Sequence, residues 1–114
     1  MFNGAEMEKE LAAYALELGG IEEKIKHPKN EHKSLRLFKH EGRIFLIMHE
    51  KADPLVVDFF VHPEILKRMI EQYETAAQSD LIDKKRAVQL VLTDQFSMED
   101  LKSFVFQSFE AAGA

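Results

Sequence analysis

Two short basic runs are the groups in this chain with chemistry to offer: Lys39-His40-Glu41-Gly42-Arg43 and Lys84-Lys85-Arg86. Each falls at a turn between runs of strand-forming residues, which predicts two hairpins with Lys39, Arg43, Lys84, Lys85 and Arg86 at their tips. Cations so placed can contact phosphates, and two such tips can straddle a duplex while the strands set their spacing. Double-stranded DNA is the partner these residues suggest, held by contacts that position it without reading its sequence. Other constellations offer less. The five histidines, His27, His32, His40, His49 and His62, lack the helical i, i+4 spacing or the short spacing of zinc ligands, so surface histidine is the simpler account and no metal is expected. Glu22-Glu23, Asp80 with Asp83, and Glu99-Asp100 are explained by helix entry or turn chemistry. Ser34, Ser79, Ser97, Ser103 and Ser108 have no nucleophile elbow or base at a recognisable spacing. There is no cysteine, and Gly19-Gly20 follows a helical pattern where a phosphate-binding loop would precede one. A non-enzymatic protein without a cofactor is the expectation.

Charge is unevenly spread. The chain carries a net charge of −5, yet residues 24–43 hold seven Lys or Arg against two Glu, a local balance of +5 that leaves −10 for the remainder. A basic segment on an acidic body can steer an anion through its local field. The alternative is that these lysines guard an edge strand against association. With 114 residues, 46% hydrophobic and 31% charged, the composition is that of one globular domain spanning residues 1–114. No apolar run reaches the length of a membrane span, the first ten residues are acidic, and cysteine is absent, so a cytoplasmic protein with no membrane partner is expected.

The elements that must position the basic tips are legible from periodicity. Residues 34–61 are rich in β-branched and aromatic types and are cut by turn signals at Glu41-Gly42 and Lys51-Ala52-Asp53-Pro54, predicting a three-stranded antiparallel meander. A two-residue Glu41-Gly42 loop sets His40 opposite Arg43, Phe38 opposite Phe45, Leu37 opposite Leu46 and Leu35 opposite Met48. A first helix runs from Asn3 to Gly19-Gly20 with Met7, Leu11, Tyr14, Ala15 and Leu18 as its buried stripe, and residues 21–33 read as a polar connection. Pro63 opens a second helix with Ile65, Leu66, Met69, Ile70 and Tyr73 inward. A shorter hairpin is expected from Leu81-Ile82 and Val88 to Leu92, and Ser97 with Asp100 caps a third helix that buries Leu101, Phe104, Val105, Ser108, Phe109 and Ala112.

The fold class is therefore α+β: two layers, a five-stranded antiparallel sheet with three helices on one face, in the order α-β-β-β-α-β-β-α. The helix-covered face should carry Leu35, Leu37, Leu46, Met48, Val57, Phe59, Leu90 and Leu92. The other face should carry Arg36, Phe38, Phe45, Ile47, Val56, Asp58, Phe60, Gln89, Val91 and Thr93, which is too apolar to meet water. Phe38, Phe45, Ile47, Val56 and Phe60 are thus candidate interface residues, and a protein-interaction module or homodimer that uses this face is the alternative function.

The chain resembles the MmcQ/YjbR-like family of small bacterial proteins, which have a double-wing arrangement. The resemblance rests on Gly20-Ile21-Glu22-Glu23, on Phe38-Lys39-His40-Glu41-Gly42-Arg43-Ile44-Phe45, on Val61-His62-Pro63-Glu64, and on Glu99-Asp100-Leu101 followed by Gln107-Ser108-Phe109-Glu110. These occur in the family's order and spacing over nearly the whole chain. The resemblance implies the element order given above, a likeness to type III secretion chaperones, and a predicted DNA-binding role. The chain departs from the family pattern at Gly19, where proline is usual, and at Lys84-Lys85-Arg86-Ala87, where the family has a Lys-Lys-His-Trp-like run. The basic pair is kept and the aromatic is not.

Overall fold

A computed structural model describes residues 4–26, 34–50, 52, 54–83, 85–92 and 96–113. The order of elements is α1 (Gly4–Glu17), β1 (Ile21–Lys26), β2 (Leu35–His40), β3 (Arg43–His49), β4 (Val56–Phe60), α2 (Pro63–Gln72), β5 (Ala77–Gln78), β6 (Ala87–Val91) and α3 (Met98–Gly113). The sheet is antiparallel throughout, with strand order β1-β2-β3-β4-β6-β5. It has six strands where five were expected. The extra one is β1, within the segment read as a polar connection. Only Ile21 of its six residues is even partly buried, so it lacks the apolar alternation that marks a half-buried strand. β5 also differs from expectation: it is the residue pair Ala77–Gln78, while Leu81 and Ile82 lie in the long turn that leads to β6.

Local chemistry accounts for the ends of the elements. Gly19 and Gly20 leave α1 with φ of 94° and 68°, a conformation that glycine adopts without a Cβ clash. Glu41 and Gly42 both have positive φ, which gives the primed two-residue turn that matches strand twist, and His40 faces Arg43 as expected. Pro63 occupies the first turn of α2, where its missing N–H is not needed. At α3 the Asp100 N–H donates to Ser97 Oγ at 3.1 Å while the Ser97 N–H donates to Asp100 Oδ2 at 3.4 Å, a reciprocal cap. Replacing Ser97 by Ala is expected to cost about 1 kcal/mol in urea unfolding with an unchanged m-value; an unaltered midpoint would mean the cap carries no stability. The Asn3 cap expected for α1 lies outside the described residues.

One irregularity decides which residues face the helices. Lys39 faces Ile44 but Phe38 faces Leu46, so β3 holds Phe45 as an extra residue, a bulge that shifts the hairpin register by one. A one-residue shift turns every later side chain of a strand to the opposite face. Leu37 therefore faces Ile47 rather than Leu46, and Leu35 faces His49 rather than Met48. Leu35 and Leu37, expected under the helices, form a small cluster with Ile47 on the outer face. Phe38 and Phe45, expected on the outer face, are fully buried among the helices, with Phe45 tilted against Phe109 at 5.9 Å. Arg36 also turns to the helix side, where it pairs with Glu8 and Glu23. Leu46, Met48, Val57, Phe59, Leu90 and Leu92 lie in the main core as expected, packed with Leu11, Leu66, Met69, Leu101 and Val105.

Candidate functional site

The tip of the β2–β3 hairpin, the end of β4 and the start of β6 meet at one end of the sheet. This follows from the strand order, since β3 pairs β4 and β4 pairs β6, with Phe60 opposite Ala87. Lys39, Gly42, Arg43, Ile44, Phe60, Ile82, Asp83 and Arg86 line a pocket of about 380 Å³ there. Phe60 is its floor: the Arg43 guanidinium carbon lies 5.2 Å from the ring centroid and that of Arg86 5.7 Å. Cation–π attraction of this kind holds both arginines near one aromatic ring and reduces the rotamer freedom they would lose on meeting a ligand.

The backbone fixes the second arginine. The Val61 N–H donates to the Arg86 carbonyl at 2.8 Å and the Arg86 N–H to the Asp83 carbonyl at 3.3 Å. The Asp83 carboxylate, though in the pocket lining, accepts the Lys85 backbone N–H at 2.8 Å, a turn contact. Among the described residues no carboxylate lies within ion-pair distance of Lys39, Arg43 or Arg86. Three cations from two turns thus converge with no ion-paired carboxylate among the described residues, an arrangement suited to a phosphate group.

Of the five cations expected to act together, Lys39, Arg43 and Arg86 are brought into one site and Lys85 is not. Lys85 lines a separate pocket with Pro63, Leu66, Lys67, Ile70, Glu71 and Gln78, between α2 and β5. Lys85 and Arg86 are adjacent in the turn yet line different pockets, so the turn does not present both to a single ligand face. Lys84 lies outside the described residues. The apolar outer face fares differently. Of its candidate interface residues, Phe38 and Phe45 are in the core, Ile47 is buried beside Leu35 and Leu37, Phe60 is roofed by the two arginines, and Val56 is half-buried. Part of the cover comes from the chain's own β5–β6 turn, whose Ile82 packs on the Leu35, Leu37 and Ile47 cluster.

That turn is anchored by a polar cluster for which the sequence suggested no role. Asp58, in the middle of β4 and fully buried, accepts from His49 Nε2 at 2.7 Å, from Ser79 Oγ, and from Gln89 Nε2 at 3.3 Å. Ser79 Oγ in turn accepts the Leu81 N–H at 3.3 Å. The hydroxyl donates to the carboxylate and not to the imidazole, so the contacts differ from those that activate a nucleophilic serine. Their effect is to clamp the start of the β5–β6 turn onto the sheet. The signal for this cluster was a lone acid inside the apolar run Val56–Phe60, opposite Gln89. His27 and His32 lie outside the described residues, and no group of three or more His, Asp or Glu able to hold a metal occurs among the described residues. No described helix is long and apolar enough to cross a membrane.

No family model matches the chain, and no curated protein matches its sequence. Solved structures do share its fold. A crystal structure of Deinococcus radiodurans protein DR2400, assigned to the domain family DUF419, superposes with a TM-score of 0.73 at 20% identity, covering 89% of this chain and 74% of that one. A Pseudomonas syringae protein, structural-genomics target PsR293, superposes with a TM-score of 0.67 at 15% identity, covering 91% and 97%. At these identities the likeness establishes the fold: an α+β domain with an antiparallel sheet and three helices.

Proposed function

We propose that this protein is a non-enzymatic module that binds the phosphate backbone of duplex DNA at the end of its sheet, through Lys39, Arg43 and Arg86. The observation that carries the reading is the convergence of these three cations, from turns more than forty residues apart, on one pocket with no ion-paired carboxylate among the described residues. The resemblance to the MmcQ/YjbR-like family, with its predicted DNA-binding role, points the same way, and the solved neighbours support the fold alone. Arginine suits the task because its planar guanidinium can donate two hydrogen bonds to one phosphate. The acidic remainder of the chain repels the same polyanion, which confines contact to this end of the sheet.

Fluorescence anisotropy of a labelled duplex, followed over a salt series, tests this. Binding should weaken as salt rises, and Arg43→Gln with Arg86→Gln should lower the slope of log affinity against log salt by roughly one per arginine. Lys85→Gln, which alters the other pocket, should leave both affinity and slope unchanged. Absence of binding at low salt, where counter-ion release is most favourable, would overturn the reading.

A further inference from the structure

Among the described residues, the first strand of the sheet has an unpaired outer edge, and its sequence complements itself. β1 pairs only with β2 among the described residues, and Glu22, Glu23, Lys24, Ile25 and Lys26 are all exposed, Ile25 by 55%. An exposed isoleucine on an exposed edge is what a strand of another chain would cover. Its side chains alternate: Ile21, Glu23 and Ile25 share the helix side with their partners His40, Phe38 and Arg36, and Glu22, Lys24 and Lys26 share the outer side.

We propose that β1 pairs antiparallel with β1 of a second copy, about a two-fold axis at Glu23, making one continuous sheet across the dimer. Registers that keep each side chain on its own face are few, because opposed residues must share a face. Centred on Glu23, the pairing sets Glu22 opposite the partner copy's Lys24 twice, by symmetry, and Ile21 opposite the partner copy's Ile25 twice. Centred on Lys24 instead, it would still set Glu22 opposite Lys26 twice, but would oppose lysine to lysine at the axis and isoleucine to glutamate twice. The two Glu23 side chains meet at the axis, and the repulsion between them is eased because each is held by its own Arg36, whose Nε lies 2.9 Å from the Glu23 carboxylate and which also pairs with Glu8. Lysines that merely guard an edge would repel a second copy in every register; here Glu22 on the same side as Lys24 lets the register centred on Glu23 attract without opposing lysine to lysine.

A strand pair of this length buries less than the ~1,000 Å² of a permanent interface, so the dimer forms and dissociates with concentration. Sedimentation equilibrium over a wide concentration range is the test, applied to the wild type, Glu22→Lys, Lys24→Glu and the double reversal. The wild-type mass should rise from 13.2 kDa toward twice that value. Either single reversal turns both symmetric attractions into repulsions and should lower the association constant about tenfold or more, and the double reversal should restore it. The substituted positions are exposed, so the fold is not at stake. A wild-type mass fixed at 13.2 kDa overturns the proposal, and so does a dimer that survives the single reversals, since it would be built on another surface.

Discussion

Replacing Asp58 by Ala should cost about 3 kcal/mol of folding stability, read as a lower urea midpoint with an unchanged m-value. The carboxylate is fully buried at the centre of β4 and accepts from three donors on three other segments: His49 on β3, Ser79 after β5, and Gln89 on β6. Alanine leaves the donors in place without their acceptor. Ser79 is as buried as the aspartate and has no route to water, whereas the partly exposed His49 side chain can rehydrate. The loss therefore falls mainly on Ser79 and the turn it begins. Asp58→Asn should cost less, about 1 kcal/mol, because its carbonyl can still accept from His49 while the Ser79 hydroxyl turns to accept from the amide. Hydrogen exchange should show where the energy goes: amides of residues 79–83 and 85–86 should lose protection in the alanine variant before those of β3. A cost below about 0.5 kcal/mol for alanine would mean that water replaces the carboxylate and that the clamp is not structural.

That clamp shows where sequence reasoning reached and where it stopped. The Glu41-Gly42 turn and the Ser97 cap were legible because each is written in adjacent residues whose chemistry has one local outcome. The helices were legible because their apolar stripes repeat at 3.6 residues, as Leu11 with Ala15 and Leu101 with Val105 show. β1 was not, because a strand on the edge with both faces wet carries no apolar period to detect. The basic site was legible only in part. Lys39, Arg43 and Arg86 were named from local turn chemistry, but their meeting depends on β6 lying beside β4, a long-range pairing that local residue types do not encode. Lys85 shows the limit in the other direction, since it neighbours Arg86 in sequence yet lines a different pocket.

Phe45→Ala should destabilise the protein by about 3–5 kcal/mol, the cost of a large cavity in a close-packed core. On the unbulged register Phe45 lies opposite Phe38 on the outer face, and trimming a residue there would change the monomer's stability by less than about 0.5 kcal/mol. The two registers thus differ in their prediction by several kcal/mol at a single position. Nothing in the run Ile44-Phe45-Leu46-Ile47-Met48 distinguishes them, since every residue is apolar and any of them could be the one set out of alternation. What decides is packing. With the bulge, Phe45 and Leu46 are both fully buried on the helix side, and Phe45 fills the space against Phe109 of α3. The same shift turns Arg36 inward to Glu8 and Glu23, which spares the outer face a charge beside Leu35 and Leu37. Deleting Phe45 would restore simple alternation but remove that aromatic from the core, so the deletion should be at least as destabilising as the alanine. Equal urea midpoints for wild type and Phe45→Ala would return Phe45 to the surface, and with it the outer face as an interface.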